Sequence, residues 1–172
     1  MKRLFAIILA AAMLAAVLCA CGENKENKTS GNVTTTVAAK YDDGYAKQYA
    51  SSATADQSGN IVYQFSGEKY DSYRASHNNT LSKNIQKEIA KNHDEKYGEY
   101  VYINEEKKAV IVGVHEKEYD EKVAKEEAAA ASEYGFRYFQ SLQTPVDTIS
   151  VIYCNANNQD EIYGSFAFTA SK

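Results

Sequence analysis

One short stretch decides the fold: Ala109-Val110-Ile111-Val112-Gly113-Val114. It carries no charge, is rich in β-branched residues and has charged segments on both sides, which is typical of a β-strand. Because side chains alternate along a strand, the three valines occupy one face, and the alanine, isoleucine and glycine occupy the other. Both faces are apolar, so we predict that this strand lies at the centre of a sheet.

Outward from this strand, the sequence alternates between strand patterns of period two and helical patterns in which apolar residues recur every fourth position. The predicted strands cover 50–55, 61–65, 100–104, 109–114, 148–154 and 161–169. The predicted helices cover 73–97 and 118–142, and Pro145 ends the second one. We expect the first helix to be firm only from Leu81, because Asn78-Asn79-Thr80 can break or cap it.

The order of elements is ββαββαββ, which favours an α+β fold: one largely antiparallel sheet of about six strands with two helices packed on one face. The inner part of this order matches the split βαβ ferredoxin-like arrangement. In the last strand, uninterrupted alternation puts Ile162, Gly164, Phe166 and Phe168 on one face. The face opposite the helices would expose a second set of residues. They are Val62, Gln64, Ala109, Ile111 and Gly113, and an apolar patch there would be the best indication of function.

The globular part is expected to be a single α+β domain over residues 49–172. Residues 21–48 are rich in Asn, Lys, Glu, Thr and Ser at their start and are expected to form a flexible tether. An alternative stays open for the end of this segment. Val33, Val37, Tyr41, Tyr45 and Tyr49 fall every fourth residue, as on one helical face.

Residues 1–20 read as an export signal. Lys2 and Arg3 precede an apolar run, Leu4 to Leu18, that is too short to span a bilayer comfortably, and small residues follow it. The segment ends in Leu18-Cys19-Ala20-Cys21, in which a small residue directly precedes the last cysteine.

This ending resembles the lipobox of bacterial prolipoproteins, whose peptidase cleaves before a cysteine that carries a thioether-linked diacylglycerol. The resemblance implies that Cys21 is lipidated and that acyl chains such as palmitate hold the protein on the membrane. The turn Asp56-Gln57-Ser58-Gly59-Asn60, followed by a Tyr-containing strand, helix, hairpin and helix, also resembles small lipoproteins of Gram-positive bacteria that have no assigned role. An ordinary secreted protein, or an uncleaved anchor with a free Cys21 thiol, is the alternative.

Charge and cysteine content restrict the partners. Loss of Lys2 and Arg3 with the signal changes the formal net charge from −4 to −6, which argues against nucleic acid as a partner. With Cys19 removed and Cys21 capped by lipid, Cys154 has no cysteine with which to form an internal disulfide. We expect Cys154 to be buried in the core.

The three histidines are the first candidates for a metal or catalytic site. His77 and His93 share a helical stripe but would lie about 24 Å apart at a rise of 1.5 Å per residue. No pair of histidines has the i, i+4 spacing that puts two ligands on one helix face, so we expect no metal and no cofactor. Each imidazole is expected to cap a helix or to lie in an exposed turn.

The carboxylates also offer no catalytic pattern. Those between Glu116 and Glu127 alternate with lysines, which is typical of a solvated helix face. A catalytic pair needs one carboxylate in an apolar setting, and no acidic residue interrupts an apolar strand. We therefore predict no catalytic residue and no enzymatic activity. A small hydrolase or metal-dependent enzyme that uses His93, His115 and nearby carboxylates is the less favoured alternative.

The chain has fourteen tyrosines and no tryptophan, and tyrosine-rich surfaces suit recognition. The tyrosines at core positions of the pattern are Tyr63, Tyr102, Tyr134, Tyr138 and Tyr153. The better candidates for exposure are Tyr70, Tyr73, Tyr97, Tyr100 and Tyr163. From the second group we predict Tyr97, Tyr100 and Tyr163 as ligand-binding residues.

Together these observations favour a membrane-anchored extracytoplasmic lipoprotein, on the outer face of the cell membrane, that acts as a non-enzymatic binding or interaction module. Its expected partners are the membrane, through the lipid on Cys21, and an envelope protein, a peptide or a glycan. An accessory subunit of an envelope transport or signalling complex is the alternative.

Overall fold

A computed structural model describes residues 31–91, 93 and 98–170. The signal peptide, Cys21 and Tyr97 lie outside these residues. The strands are β1 (Asn32–Val37), β2 (Ser52–Ala55), β3 (Ile61–Ser66), β4 (Tyr100–Asn104), β5 (Ala109–Val114), β6 (Thr148–Asn155) and β7 (Asn158–Thr169). The α-helices are α1 (Gly67–Ala90) and α2 (Glu121–Gln140), and Tyr45–Gln48 and Glu116–Glu118 form 3₁₀ turns. No helix among the described residues has the length and apolar character needed to cross a membrane.

The α+β class is confirmed, but the described strands form two sheets rather than the single six-stranded sheet that we predicted. One sheet has the order β1-β3-β2, and the other has the order β4-β5-β6-β7. The reason is the length of α1, which begins directly after β3 and spans about 36 Å at 1.5 Å per residue. The helix carries the chain away from the first hairpin, so β3 does not lie beside the later strands as the ferredoxin-like order would require.

The predicted central strand is confirmed. All six residues of β5 are buried, and β5 pairs antiparallel with β4 on one side and parallel with β6 on the other. Its three valines face both helices in the main core, where they pack near Leu81, Ile85 and the alanines of α2.

The tether predicted for residues 21–48 contains a strand, so the helical alternative is wrong for residues 32–37. Residues 32–37 form β1, which pairs antiparallel with β3 from Asn32↔Ser66 to Val37↔Ile61. Val33, Thr35 and Val37 alternate with exposed residues and are each about 2% exposed. The folded part of the chain therefore begins at least seventeen residues earlier than predicted, because β3 offers an edge on which this short uncharged segment can pair.

Helix α1 begins earlier than expected and continues through Asn78-Asn79-Thr80. The polar residues in this stretch have tertiary partners, so they do not break the helix. Asn78 Nδ2 donates to the Ile103 carbonyl at 2.9 Å, and Ser82 Oγ accepts from the Ile103 amide at 3.2 Å. Thr80 Oγ1 donates to the Tyr45 hydroxyl at 3.3 Å.

Helix α2 lies close to the four-stranded sheet. It begins after Asp120, whose carboxylate accepts a hydrogen bond from the Val123 amide at 3.0 Å and so caps the first turn. A Cβ added to Gly135 would lie 2.6 Å from Ile149 Cδ1, so the absence of a side chain at this position allows the helix to approach the sheet closely.

Two cores meet along α1. The first half of the helix contributes Tyr70 and Tyr73 to a core under the three-stranded sheet, and the second half packs in the main core. Near the junction, Glu105 accepts hydrogen bonds from the Tyr138 hydroxyl and from the Arg74 guanidinium. Burial, followed by this bond to Glu105, raises the pKa of Tyr138, so its hydroxyl keeps its proton and ties α2 to the β4–β5 turn.

Candidate functional site

On the face of the four-stranded sheet that points away from both helices, which we call the outer face, every residue that pairs in register is uncharged. Residues that pair in register share a face, so the pairing of the strands defines its members. They are Tyr100, Tyr102, Asn104, Ala109, Ile111, Gly113, Thr148, Ser150, Ile152, Cys154, Ile162, Ser165, Ala167 and Thr169. The absence of charge from this face is unusual in a chain in which 24% of residues are charged.

Two tyrosines from the edge strand β4 cover part of the outer face. A Cβ added to Gly113 would lie 2.3 to 2.7 Å from three atoms of the Tyr100 ring, so the ring lies flat on the glycine. The Tyr100 hydroxyl lies 3.6 Å from Cys154 Sγ. Burial, followed by this contact with Cys154, raises the pKa of Tyr100 to about 12. The ring is thus held in a fixed position on the sheet.

Tyr102 lies beside Tyr100, with 6.0 Å between the ring centroids, and its hydroxyl donates to Gln159 Oε1 at 3.0 Å. Together the two rings pack over a small buried cluster of Ala109, Ile111 and Cys154. Cys154 is 1% exposed, which confirms its predicted burial.

Beyond the tyrosines, the outer face carries the hydroxyl side chains of Thr148, Ser150, Ser165 and Thr169 together with aliphatic side chains. Ile152 is half-buried at the rim of the tyrosine cluster. Ile162 is 57% exposed, and no other large apolar side chain in the described part of the chain is exposed to this degree. The register pairs Ile162 with Cys154, which puts it on the outer face. Sequence alternation assigned Ile162 to the face of Phe166 instead, but a β-bulge between Ile162 and Gly164 changes the alternation.

The three predicted ligand-binding tyrosines do not form one described surface. Tyr100 lies on β4 on the outer face, whereas Tyr163 lies on β7, at the opposite edge of the sheet. Tyr163 packs against the main core on the helix side, with its ring 5.5 Å from that of Tyr119. Tyr97 lies outside the described residues.

Two other tyrosines that the pattern suggested as exposed are buried, since Tyr70 is 4% and Tyr73 is 1% exposed. The reason is that α1 continues toward the first sheet and carries its inner stripe with it. The expected core positions of Tyr63, Tyr138 and Tyr153 are confirmed.

Each histidine contacts a carboxylate, and buried His77 contradicts our expectation that every imidazole caps a helix or lies in an exposed turn. His77 is 1% exposed, its Nε2 lies 2.9 Å from Asp43 Oδ2, and its ring stacks on Tyr45 and Tyr73. Burial by itself raises the pKa of Asp43, but the hydrogen bonds to His77 and to the Tyr45 amide outweigh burial and lower that pKa below its usual value. This contact holds the segment before the first 3₁₀ turn against α1.

The other two histidines lie in separate pairs. His93 Nε2 lies 2.6 Å from Glu127 Oε1, and His115 Nε2 lies 2.9 Å from Glu99 Oε1. Glu127 is 3% exposed, so our assignment of this residue to a solvated helix face is wrong. The described residues contain no group of three or more His, Cys, Asp or Glu side chains able to hold a metal ion.

A groove of about 410 Å³ lies between the β4–β5 turn and the loop after α2. Its wall includes Glu105, which already binds Tyr138 and Arg74, and the apolar side chains of Phe139 and Leu142. Phe139 and Leu142 belong to the helix-side core, and the groove shares only Thr148 with the outer-face residues named above.

Comparisons of this chain with protein-family models, with curated proteins and with solved structures found no match. The geometry of the outer face therefore carries the functional argument. Its exposed Ile162 and half-buried Ile152 were not among the predicted ligand-binding residues. Strand alternation from Cys154 would have identified Ile152, whereas Ile162 required knowledge of the bulge.

Proposed function

We propose that this chain is a membrane-anchored extracytoplasmic lipoprotein whose domain is a non-enzymatic binding module, and that it binds its partner through the outer face. The lipobox-like ending at Cys21 supports the anchor. One observation carries the binding role: an uncharged sheet face, with Ile162 57% exposed on it, is left uncovered by the helices. An uncharged face that carries apolar and aromatic side chains suits an interaction site.

The chemistry of the outer face favours a protein or peptide partner over a glycan. Its aliphatic side chains, Ile152, Ile162 and Ala167, lie among the neutral hydroxyl side chains of Ser150, Ser165 and Thr169, and a mixture of apolar and neutral polar groups is typical of protein interfaces. Tyr100 and Tyr102 add flat aromatic area at low cost in conformational entropy, because their rings are already held in place.

The length of chain before the domain bears on where the partner lies. Ten residues separate Cys21 from Asn32, the first residue of β1, and the chain from Cys21 to Asn32 can reach no more than about 40 Å. A lipid on Cys21 would therefore keep the domain close to the membrane surface. This short reach supports the role of an accessory subunit for an envelope transport or signalling complex in the same membrane.

Site-specific photo-crosslinking in bacterial cells tests the proposal. A photoreactive phenylalanine analogue replaces Tyr102 on the outer face or, as a control, Thr54 on the exposed strand β2. We expect a discrete product from position 102, with a mass other than twice that of the chain, and none from position 54. Ile162→Lys should reduce the yield about ten-fold, because it places a charge in a contact that excludes water.

Thr54→Lys is the matched control, since it adds the same charge at an exposed position in the other sheet and should leave the yield unchanged. Capture that is equal from both probe positions, or that is insensitive to Ile162→Lys, would contradict binding through the outer face.

A further inference from the structure

The strand β7 forms a free edge of the four-stranded sheet, and its pattern of hydrogen bonds shows which residues point outward. The Ala170 amide donates to the Asp147 carbonyl at 2.8 Å, in line with the β6–β7 register. Backbone groups alternate in direction along a strand, so even-numbered residues of this part of β7 bond to β6. Ser165, Ala167 and Thr169 therefore direct both their N–H and C=O groups away from the sheet.

This edge lacks the features by which natural proteins discourage pairing. From Ile162 to Thr169 the strand has neither a charged residue nor a proline, and it is rich in β-branched and aromatic side chains. No described strand pairs with its outer side. The bulge lies before Gly164, so the segment 164–169 is regular. A regular, uncharged edge is a template for another strand.

We propose that a second copy of this chain pairs with β7 antiparallel across a two-fold axis, so that two four-stranded sheets become one of eight strands. The register follows from the outward groups. Pairing centred on Ala167 sets Ala167 of one copy opposite Ala167 of the other, and Ser165 of each copy opposite Thr169 of the other. Only in this register do the outward N–H and C=O groups of these three residues all bond to one another across the two copies. Isologous pairing of this kind is closed and stops at the dimer.

The side chains of β7 match one another in this register. On the helix side, Phe166 of each copy lies opposite Phe168 of the other, and these would form two cross-strand aromatic pairs. On the outer face, the small Ala167 side chains meet at the axis, and Ser165 and Thr169 can share a hydrogen bond. No charge is buried at the contact. The strand thus complements itself, which favours a second copy over an unrelated peptide.

Pairing would also enlarge the outer face. Both copies keep this face on the same side of the joined sheet, so the two uncharged surfaces become continuous across the axis. The pairing is argued from β7 and does not depend on the lipid. An anchor on Cys21, which rests on the proposed function, would only raise the local concentration of the two copies.

Cysteine cross-linking of the full-length chain tests the register. Residues paired across hydrogen-bonded antiparallel strands have Cα atoms about 5.5 Å apart, within the range that a disulfide spans. Under mild oxidation in membranes of the expressing cells, Ala167→Cys should give a disulfide-linked dimer. Thr34→Cys is the matched control, because Thr34 lies exposed in the middle of the uncharged edge strand β1.

We expect the dimer yield from Ala167→Cys to exceed that from Thr34→Cys about ten-fold, given the narrow geometry of disulfides. Equal yields from the two positions, or no dimer from Ala167→Cys, would overturn the proposal.

A second measurement is the oligomeric state of the purified full-length chain in detergent, by light scattering. Ala167→Pro removes one outward N–H group from each copy and leaves the hydrogen bonds between β6 and β7 intact. This variant should therefore be a monomer with the circular dichroism spectrum of the wild type. Ala167→Lys, which sets two like charges at the axis, should give the monomer at low salt and restore dimer as salt rises. A wild-type monomer, or a dimer unchanged in both variants, would refute the pairing.

Discussion

Gly113→Ala should destabilise the protein through the Tyr100 ring. The added Cβ would lie 2.3 Å from Tyr100 Cζ and 2.4 Å from Cε1, whereas carbon atoms in contact are normally about 3.5 to 4.0 Å apart. The ring must therefore rise by more than 1 Å and lose its contact with Cys154. Overpacking of this kind costs about 1–3 kcal/mol of unfolding free energy.

A double-mutant cycle with Tyr100→Ala isolates this clash. Tyr100 is half-buried, so its removal should cost about 1–2 kcal/mol, less than a fully buried side chain. In the double variant the clash is absent, and Ala at 113 has an unstrained strand conformation. The double variant should therefore lose less unfolding free energy than the sum of the two single losses, by about 1 kcal/mol or more. Urea unfolding followed by circular dichroism measures all four proteins. Additive costs, or a Gly113→Ala variant as stable as wild type, would show that the ring is not held on the outer face.

Three further predictions concern the polar contacts. Asp43→Asn should lower the free energy of unfolding at pH 7 by about 1–2 kcal/mol, after allowance for the partial exposure of Asp43. Because the pKa of Asp43 is lowered in the folded state, the difference between the variant and the wild type should shrink as the pH falls below about 4. Urea unfolding curves recorded at a series of pH values measure this difference. Glu127→Ala should lower the free energy of unfolding by roughly 3 kcal/mol, because it breaks the buried contact with His93. Glu126 is exposed, so Glu126→Ala should change the free energy of unfolding by less than about 0.5 kcal/mol; thermal unfolding measures both variants. Asn78→Ala should cost about 1–2 kcal/mol while exposed Asn79→Ala costs nothing, and equal effects in urea unfolding would contradict the role of the Asn78 contacts in continuing α1.

The parts of the fold that sequence predicted are those in which local pattern and burial agree. The central position of β5 follows from its two apolar faces, and both α-helices follow from fourfold spacing. The division into two sheets did not follow, because it depends on where a 24-residue helix carries the chain. Strand β1 did show alternation at Val33, Thr35 and Val37, but its burial requires pairing with β3, about thirty residues later.

The candidate site was only partly predictable for a similar reason. Tyr100 was identified, and the outer face of β5 was expected to matter, since both follow from alternation. The exposure of Ile162 depends on a β-bulge, and no residue pattern in β7 predicts that bulge. The burial of Glu127 depends on His93, a contact across 34 positions of the chain. Contacts of this range are set by tertiary packing rather than by spacing.

Lipid attachment at Cys21 is the central claim, because it places the binding surface at a membrane, and metabolic labelling tests it most directly. Bacterial cells that express the full-length chain are grown with an alkyne-bearing palmitate, and the purified chain is assayed for the label. The account predicts strong labelling of the wild type and none of Cys21→Ser, with Cys154→Ser labelled as strongly as the wild type because Cys154 is buried. An unlabelled wild type, or equal labelling of Cys21→Ser, would contradict the account.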